Sequence, residues 1–290
     1  MIMETLKNIS ISVRNKPFII KTFNIQHTDL PLRNASVNIL ASGPSIVDVH
    51  FNNSFLATPS IFVNGSLSLV DQYNFSHVVA YVISDERFVG HNSDVLDTFY
   101  CGQPLYITVS VLQAIVDKLP HLIEQYHQKI QLIFAANRPL TVNEVKSPFQ
   151  TLISKLTRKP FVKRLTPKLP LSHFESQDNF VLDLTHHPEP IGVSLDISDG
   201  FVEAGTVAYV AAQLAYTLGA STINLYGIDL LNANQPRFYE DKDNKAPCKL
   251  EKAVYERIVP SFNLLGEVYN KYDVKVINHS PISNHLFIQI

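Results

Sequence analysis

Residues 37–45 read VNILASGPS, a short apolar run followed by a turn of small residues. The run is typical of a buried strand, because Val37, Ile39 and Leu40 suit a sheet that is covered on both faces. The Ser-Gly-Pro-Ser turn allows another group to come close to the backbone, since glycine has no side chain. The stretch therefore predicts a buried strand whose carboxyl end lies where a ligand can approach.

Apolar runs of the same kind recur along the chain, and helical patterns lie between them. The further predicted strands are SIFVN (60–64), VVAYVIS (78–84), PLYITVS (104–110), QLIFAA (131–136), TINLYGID (222–229) and VKVINHSP (274–281). The predicted helices are 112–128 with a break near Pro120, 206–220 with Gly219 as its C-cap, and 251–272 with a kink near Pro260. This alternation predicts an α/β fold, a Rossmann-like and mostly parallel sheet with helices on both faces.

Composition divides the chain into a domain, an extension and an insertion. Residues 1–36 carry short alternating runs and are predicted to form an N-terminal extension of extended elements, while residues 37–290 form the Rossmann-like domain. Residues 145–192 are rich in proline and contain a basic cluster between residues 155 and 168, so they are interpreted as an insertion. The insertion is either solvated and loosely structured, or it is a lid or a surface patch attracted to anionic headgroups.

The overall composition excludes several classes of protein. A formal charge of −2 over 290 residues argues against a nucleic-acid binder, which is usually strongly basic. The apolar stretch 206–220 is too short to span a bilayer, and the first residues lack the pattern of a signal peptide, so a cytoplasmic protein is expected. The 2 cysteines and 11 histidines show no metal-ligand spacing, so no metal site is predicted.

Small and polar residues follow four of the predicted strands. These residues are Ser42, Gly43, Pro44 and Ser45, then Asn64, Gly65 and Ser66, then Asp85, Glu86 and Arg87, and finally Gly227 and Asp229. Because ligands of open α/β sheets bind beyond the carboxyl ends of the strands, these residues are expected to line one crevice. The standard phosphate loops and the GxSxG elbow are missing, so the backbone N–H groups of Gly43 and Gly65 are the candidates for phosphate or sugar oxygens.

An ordered set of motifs resembles those of the lipopolysaccharide inner-core Kdo transferases of the WaaZ type, which transfer a keto-sugar acid. The matching pieces are SGPS (42–45), VNGSL (63–67), SDERF (84–88), GTVAYVAAQLAYTLGA (205–220), YGIDLL (226–231) and RFYED (237–241). The resemblance implies a Rossmann-like glycosyltransferase with a CMP-sugar donor as substrate and with no cofactor. More distantly, the GPS turn and the GID strand end are similar to small bacterial sialyltransferases, which use CMP-sialic acid.

The resemblance also implies roles for individual residues. Gly43 and Asn64 would lie near the donor nucleotide and phosphate, and Gly227 and Asp229 would shape the cytidine or ribose end. The other residues expected to bind the nucleotide sugar are Ser42, Pro44, Ser45, Gly65, Ser66, Arg87, Thr206, Arg237 and Tyr239. Arg237 or Tyr239 would contact phosphate or the sugar carboxylate, although Arg237 has the alternative of a surface ion pair with Glu240 or Asp241.

The general base does not follow from the resemblance. The similar sialyltransferases use a histidine after their GID loop, whereas this chain has no histidine between His187 and His279. A carboxylate at a strand end is therefore predicted as the base, Asp85 with Glu86 beside it, and Asp229 is the competitor. The alternative for Asp85 and Glu86 is a structural ion pair with Arg87.

The predicted function is the transfer of Kdo, or a related keto-sugar acid, from a CMP-activated donor to a lipid-anchored oligosaccharide, with inversion. The basic segment 155–168 would hold the enzyme peripherally on the inner face of the cytoplasmic membrane. Three alternatives remain open at this point: a sialyltransferase, a non-catalytic nucleotide-sugar binding protein, and a diphosphokinase-like enzyme that binds ATP.

Overall fold

The computed structural model of the chain describes residues 8–27, 30–140, 168–232, 237–239 and 250–290. The strands are β1 Asn8–Val13, β2 Lys16–Thr22, β3 Ser36–Leu40, β4 Ser60–Val63, β5 Val78–Ile83, β6 Leu105–Ile107, β7 Ile130–Leu132, β8 Phe180–Asp183, β9 Ile191–Ser194, β10 Thr222–Tyr226 and β11 Lys275–Asn278. The α-helices are α1 Asn53–Ala57, α2 Glu86–His91, α3 Ser93–Phe99, α4 Val109–Lys118, α5 Pro120–Tyr126, α6 Val207–Thr217, α7 Leu250–Ala253 and α8 Val259–Asn270.

The main sheet has nine strands in the order β1-β2-β7-β6-β5-β4-β3-β10-β11. Every neighbouring pair is parallel except β1 with β2. From β3 the chain proceeds through β4, β5 and β6 to β7 on one side, whereas β10 and β11 lie on the other side of β3. The strand order therefore reverses between β3 and β10, and ligands of open α/β sheets bind beyond the carboxyl ends of the strands at such a switch point.

Helices cover both faces of this sheet, as the continuous apolar runs predict. Along β3, Val37 and Ile39 pack with the residues of α6 and α8, whereas Leu40 packs in the layer that contains α2 to α5. The two layers bury both sides of the central strands, which explains why nearly every residue of those strands is buried and mostly apolar rather than alternating. The predicted α/β class, with a mostly parallel sheet, is confirmed.

The predicted helix breaks lie at the two prolines. Pro120 begins α5 immediately after α4 has ended, and Pro260 follows a π-helical turn at Val254–Ile258 that separates α7 from α8. Proline has no N–H, so the carbonyl oxygen of Glu256, four residues before Pro260, loses its normal helical donor. The Nε2 atom of His186 lies 2.8 Å from that oxygen and donates to it, since a carbonyl can only accept.

The N-terminal extension and the C-terminal part of the predicted insertion both contain strands. Residues 8–22 of the extension form β1 and β2, and they enlarge the main sheet because β2 pairs with β7. Residues 145–167 lie outside the described residues, but residues 180–194 form the antiparallel hairpin of β8 and β9. Phe180 and Ile191 are buried there, so a solvated and loosely structured insertion is wrong for this part of the chain.

Candidate active site

The Gly-Pro-Ser turn after β3 lies against the end of β10. The N–H of Ala41 donates to the carbonyl oxygen of Tyr226 at 2.8 Å, and the N–H of Gly43 donates to that of Gly227, also at 2.8 Å. A Cβ atom on Gly43 would lie 2.5 Å from both Asp229 Oδ2 and Gly227 O, so no larger residue fits. The predicted use of the Gly43 N–H for a ligand is wrong in this structure, because that donor is already engaged.

Ser45 and Asp229 form a clasp between the loops that follow β3 and β10. The Ser45 N–H donates to Asp229 Oδ2 at 2.6 Å, and the Ser45 hydroxyl donates to Asp229 Oδ1 at 2.6 Å. Both carboxylate oxygens thus fix the short helical turn Pro44–Asp48 against the loop that follows β10. This Ser45–Asp229 clasp brings together two strand ends that the sequence predicts to meet, and it gives Asp229 a positioning role.

Asn64 lies directly after β4, at the same edge of the sheet. Its backbone has a φ of +50°, and its carbonyl oxygen accepts a hydrogen bond from the Tyr81 hydroxyl at 2.8 Å. The side-chain Oδ1 atom is buried and receives no hydrogen bond from the residues that the structure describes. Buried polar atoms are normally paired, so this oxygen is a candidate acceptor for an N–H or O–H group of a ligand.

Gly65 and Ser66 follow Asn64 at the same edge, and they make different contacts. A Cβ atom on Gly65 would lie 1.9 Å from Cε1 of Tyr239, so the tyrosine ring lies directly on the glycine. The hydroxyl of Ser66 is fully buried, accepts from the Val63 N–H at 2.9 Å and lies 2.5 Å from the carbonyl oxygen of Leu40. Ser66 therefore joins β3 to β4 through the backbone, and its hydroxyl does not face a ligand.

The residues of the RFY stretch reach the same edge. The N–H of Phe238 lies 3.4 Å from the carbonyl oxygen of Ser42, and the ring of Tyr239 covers Gly65. Arg237 is half-buried beside them. The structure thus brings Arg237 and Tyr239 to the strand ends, while Glu240 and Asp241, the alternative partners of Arg237, lie outside the described residues.

Asp85 and Arg87 form an ion pair at the carboxyl end of β5. The Asp85 carboxylate caps α2 by accepting from the Arg87 N–H at 2.9 Å, and it also accepts from Arg87 Nε at 2.8 Å. The arginine side chain is 75% exposed, and its pKa is raised by the hydrogen bond to Asp85 and then by the carboxylate charge. Glu86 begins α2 beside this pair.

The Asp85–Arg87 pair lies apart from the clasp. One strand, β4, separates β5 from β3, which corresponds to two strand spacings or roughly 10 Å. The structure therefore contains the ion pair that the sequence left as an alternative. The role of Asp85 as a base stays a prediction.

Thr206 caps the N-terminus of α6, where its hydroxyl oxygen accepts from the Ala208 N–H at 3.4 Å. Helix α6 runs back to the amino edge of the sheet, because β10 begins there a few residues after the helix ends. The N-terminus of α6, and with it Thr206, therefore lies at the carboxyl edge with the strand ends. Its contact with a nucleotide stays a prediction.

Sequence patterns missed Tyr81 as part of this region. The residue lies within β5 and is fully buried, and burial raises the pKa of its hydroxyl well above the ordinary value, with smaller effects from Tyr239 and Tyr100. The hydroxyl is therefore a neutral donor, and it fixes the backbone of Asn64. The strand pattern reveals which face Tyr81 occupies, but it contains no signal for a bond to the loop after a neighbouring strand.

The amino edge of the same sheet contains a separate cavity of about 430 Å³. This amino-edge cavity is lined by residues of the turns that precede β3, β10 and β11, together with the end of α6; they include Asn34, Asp196, Tyr216, Thr217, Gly219, Tyr272 and Asp273. None of the residues predicted to bind a ligand lines it.

The described residues contain neither a cluster of metal-ligating side chains nor a helix that could span a membrane. No group of three or more histidine, cysteine, aspartate or glutamate residues is placed to hold a metal ion in that part of the chain. Within the same residues, none of the helices has the length and apolar character that crossing a membrane requires. Cys101 is exposed and carries no disulfide, and Cys248 lies outside the described residues.

Comparison with known proteins gives one family match and two partial relatives. Residues 25–284 match the family described as 3-deoxy-D-manno-octulosonic acid transferase WaaZ. A probable 3-deoxy-manno-octulosonic acid transferase of Salmonella typhimurium is 35% identical over 89 residues, which are 31% of this chain and 32% of that protein. A protein of the same name from Escherichia coli K12 is 32% identical over 90 residues, or 31% of this chain and 30% of that protein. The matched segments span about a third of these relatives.

Proposed function

The chain belongs to the WaaZ family of 3-deoxy-D-manno-octulosonic acid (Kdo) transferases, and on this basis we propose that it transfers Kdo, or a related keto-sugar acid, from a CMP-activated donor to the inner core of lipopolysaccharide. The reversal of the strand order between β3 and β10 is the observation that carries the proposal. Ligands of open α/β sheets bind beyond the carboxyl ends of the strands at such a switch point.

The donor nucleotide is proposed to bind at this switch point. The Ser45–Asp229 clasp fixes the turn that forms one wall, and the buried Oδ1 of Asn64 offers an acceptor for the cytosine amino group or a ribose hydroxyl. Arg237 and Tyr239 would contact the phosphate or the sugar carboxylate, because a guanidinium fork suits both groups and a phenol hydroxyl can donate to a departing phosphate.

The proposed reaction is an inverting displacement at the anomeric carbon of the donor sugar. The hydroxyl oxygen of the acceptor forms a bond to that carbon and gives its proton to a base, while the bond to the CMP phosphate oxygen breaks and CMP leaves with the electron pair. Asp85 is the proposed base. Asp229 suits the role less well, because both of its oxygens already accept hydrogen bonds from Ser45 and their protonation would weaken the clasp.

The choice of base is testable with Asp85→Asn. Removal of a general base is expected to lower the transfer rate by about 10² to 10⁴, whereas CMP binding stays within a few fold. Asp94→Asn, an exposed carboxylate in the first turn of α3, is the matched control and should leave both quantities unchanged. Full activity of Asp85→Asn would remove this residue from the mechanism.

The acceptor is proposed to be a lipid-anchored oligosaccharide, reached by peripheral contact with an anionic membrane surface. The cations of segment 155–168, which lie outside the described residues, would supply that contact. Sedimentation with anionic and with neutral vesicles measures it. Neutralisation of Lys155, Arg158 and Lys163 should abolish binding to the anionic vesicles, and equal binding to both vesicle types would contradict the proposal.

The first experiment is thermal stabilisation of the purified protein by CMP, compared with CDP, UDP, GDP and ATP. A ligand at 100 times its dissociation constant adds about 2.7 kcal/mol to the free energy of unfolding. A shift with CMP, followed by transfer from CMP-Kdo, is the expected result. Transfer from CMP-sialic acid alone would indicate a sialyltransferase, CMP binding without any transfer would indicate a binding protein, and a shift with ATP alone would contradict the proposed donor.

A further inference from the structure

The arginines of the described residues are distributed unevenly between the two edges of the sheet. Arg14 lies in the turn before β2 and Arg33 precedes β3, so both lie at the amino edge. The arginines at the carboxyl edge are Arg87, Arg138, Arg237 and Arg257. This edge therefore holds more guanidinium groups than the amino edge, and such groups suit carboxylate and phosphate ligands; Arg87 already pairs with Asp85, and Arg138 lies near Glu203.

Arg257 occupies the π-helical turn that precedes α8. Its Nη2 donates to the carbonyl oxygen of Glu203 at 2.9 Å, while its Nη1 lies 3.9 Å from Glu189 Oε2, beyond hydrogen-bond distance. Its Nε–H is buried and meets no acceptor among the residues that the structure describes. A buried donor of a charged group normally has a partner, so this atom marks a position where an acceptor is missing.

Arg138 faces the same short segment from the end of β7. Its Nη1 lies 3.4 Å from Glu203 Oε1, and its side chain is 54% exposed. One glutamate thus contacts both arginines, through its carboxylate and through its backbone carbonyl. The segment is at the carboxyl edge, because Phe201 pairs with Ala135 beyond the end of β7.

Two features favour an anion at this position although carboxylates of Glu203 and Glu189 lie nearby. Helix α6 begins a few residues after Glu203, and a helix N-terminus carries a partial positive charge. Glu189, the second carboxylate nearby, is 60% exposed, so water screens its charge.

The π-helical turn holds Arg257 in place. His186 donates to the carbonyl oxygen of Glu256, next to Arg257, and Ile258 on the other side of Arg257 is fully buried. A side chain on a backbone that is fixed in this way loses less freedom when it binds an anion, and π-helical turns often occur at functional sites.

We infer that Arg138 and Arg257 form a binding site for the carboxylate of an acidic sugar. The inference rests on the proposed function, and it names residues beyond the nucleotide site. The carboxylate belongs either to the donor sugar or to an acidic sugar of the acceptor. Both present the same chemistry to the two guanidinium groups, and the KM values for the two substrates distinguish them.

The test measures kcat and KM for both substrates in Arg257→Gln, Arg257→Lys and Arg138→Gln. Loss of a charge-assisted hydrogen bond should raise one KM by about tenfold to a hundredfold in Arg257→Gln, and by less in Arg138→Gln, with kcat little changed. A higher KM for the donor assigns the site to the donor sugar, and a higher KM for the acceptor assigns it to the acceptor. Arg33→Gln, an exposed arginine of the amino edge, is the matched control and should behave as wild type.

A second measurement does not depend on the nucleotide. Free Kdo should raise the melting temperature of the wild-type protein, the Kdo methyl ester should not, and Arg257→Gln should lose the response. If Arg257→Gln fails to fold, the same measurement is made on Arg138→Gln. Arg138 is largely exposed, so its substitution should not prevent folding. Unchanged KM values together with an unchanged response to Kdo would overturn the inference. If the wild-type protein binds CMP in that case, the proposed function stands and only the arginine site is refuted. If the wild-type protein does not bind CMP, the proposed function itself fails.

Discussion

The carboxyl edge and the amino edge of the sheet are formed by the same strands, yet their polar atoms differ in what they contact. In the amino-edge cavity, Thr217 accepts from the Ile197 N–H and donates to the Gln213 carbonyl, while Asp196 accepts from the Ser198 N–H. At the carboxyl edge, the described residues leave Asn64 Oδ1 and Arg257 Nε buried without a partner. Among the described residues, no buried side-chain atom of the amino-edge cavity therefore lacks a partner, whereas two such atoms at the carboxyl edge do.

The turns explain the amino edge without any ligand. Asn34, Asp273 and Gly219 have φ values of +58°, +58° and +93°, which are turn conformations that connect a helix or loop to the start of a strand. The amino-edge cavity is the space that remains between these turns. In these two regions, unpaired buried polar atoms coincide with the predicted site and the cavity does not, and substitutions at paired positions on the two edges test this contrast.

The largest effect is expected from Gly43→Ala. The new methyl group would lie 2.5 Å from Asp229 Oδ2, so the clasp must shift; overpacking of this kind lowers the free energy of unfolding by about 1–3 kcal/mol. A displaced site is expected to lose about a hundredfold or more in transfer rate. Gly90→Ala is the control, since nothing lies within 4 Å of its new methyl group and the helix should gain about 0.5–1 kcal/mol. Equal activity of the two variants would refute the clasp.

Asp229→Asn is expected to have the next largest effect. The amide keeps one acceptor but turns an NH₂ group toward a Ser45 donor, so the variant should lose about 2 kcal/mol of unfolding free energy and roughly tenfold or more in CMP affinity. Asp273→Asn at the amino edge is the matched change, and it should be neutral because asparagine tolerates a positive φ. Denaturant unfolding and CMP titration measure both variants.

Asn64→Gly is expected to weaken CMP binding by about three- to tenfold, the contribution of one neutral hydrogen bond. Glycine tolerates the φ of +50° and removes the buried Oδ1 atom, so the unfolding free energy should change little. Asn34→Gly makes the same change at a φ of +58° on the other edge and should not alter CMP binding. If Asn64→Gly binds CMP as tightly as the wild type, Asn64 does not contact the donor.

The smallest effect is expected from Tyr272→Ala in the wall of the amino-edge cavity. The side chain is largely exposed and contacts Tyr216 edge-on, so its removal should lower the unfolding free energy by about 1 kcal/mol or less. Transfer rate and CMP affinity should equal those of the wild type. A loss of transfer in a folded Tyr272→Ala protein would give the amino-edge cavity a function and would reverse the comparison between the two edges.

Much of the fold is predictable because local chemistry determines it. The apolar runs gave the strands of the parallel part of the sheet, and Pro120 and Pro260 marked the helix breaks, because a residue without an N–H interrupts a helix wherever it occurs. The hairpin of β8 and β9 was missed. Its strands are short, a proline-rich loop separates them, and long-range contacts such as the bond from Tyr269 Oη to Ser194 O hold it in place.

The site was predictable to the extent that topology determines it. Parallel strands end at one edge, so the meeting of Ser42–Ser45 with Gly227–Asp229 follows from the strand pattern, and the Asp85–Arg87 pair follows from two charges close in sequence. Arg257 was not predictable. In sequence it lies in a regular helical pattern, and the extra residue in its π-helical turn alters the direction in which the side chain points.

The Ser45–Asp229 clasp also has a consequence for the order in which the protein becomes active during its synthesis. Its two residues are 184 positions apart, so a ribosome that adds 5–20 residues per second needs on the order of 10–40 s to make the second after the first. Throughout that interval the nascent chain has Ser45 and Asn64 but lacks the carboxylate that fixes the turn. Donor binding should therefore arise late and abruptly, when β10 inserts beside β3, and not in proportion to the length of chain that has emerged.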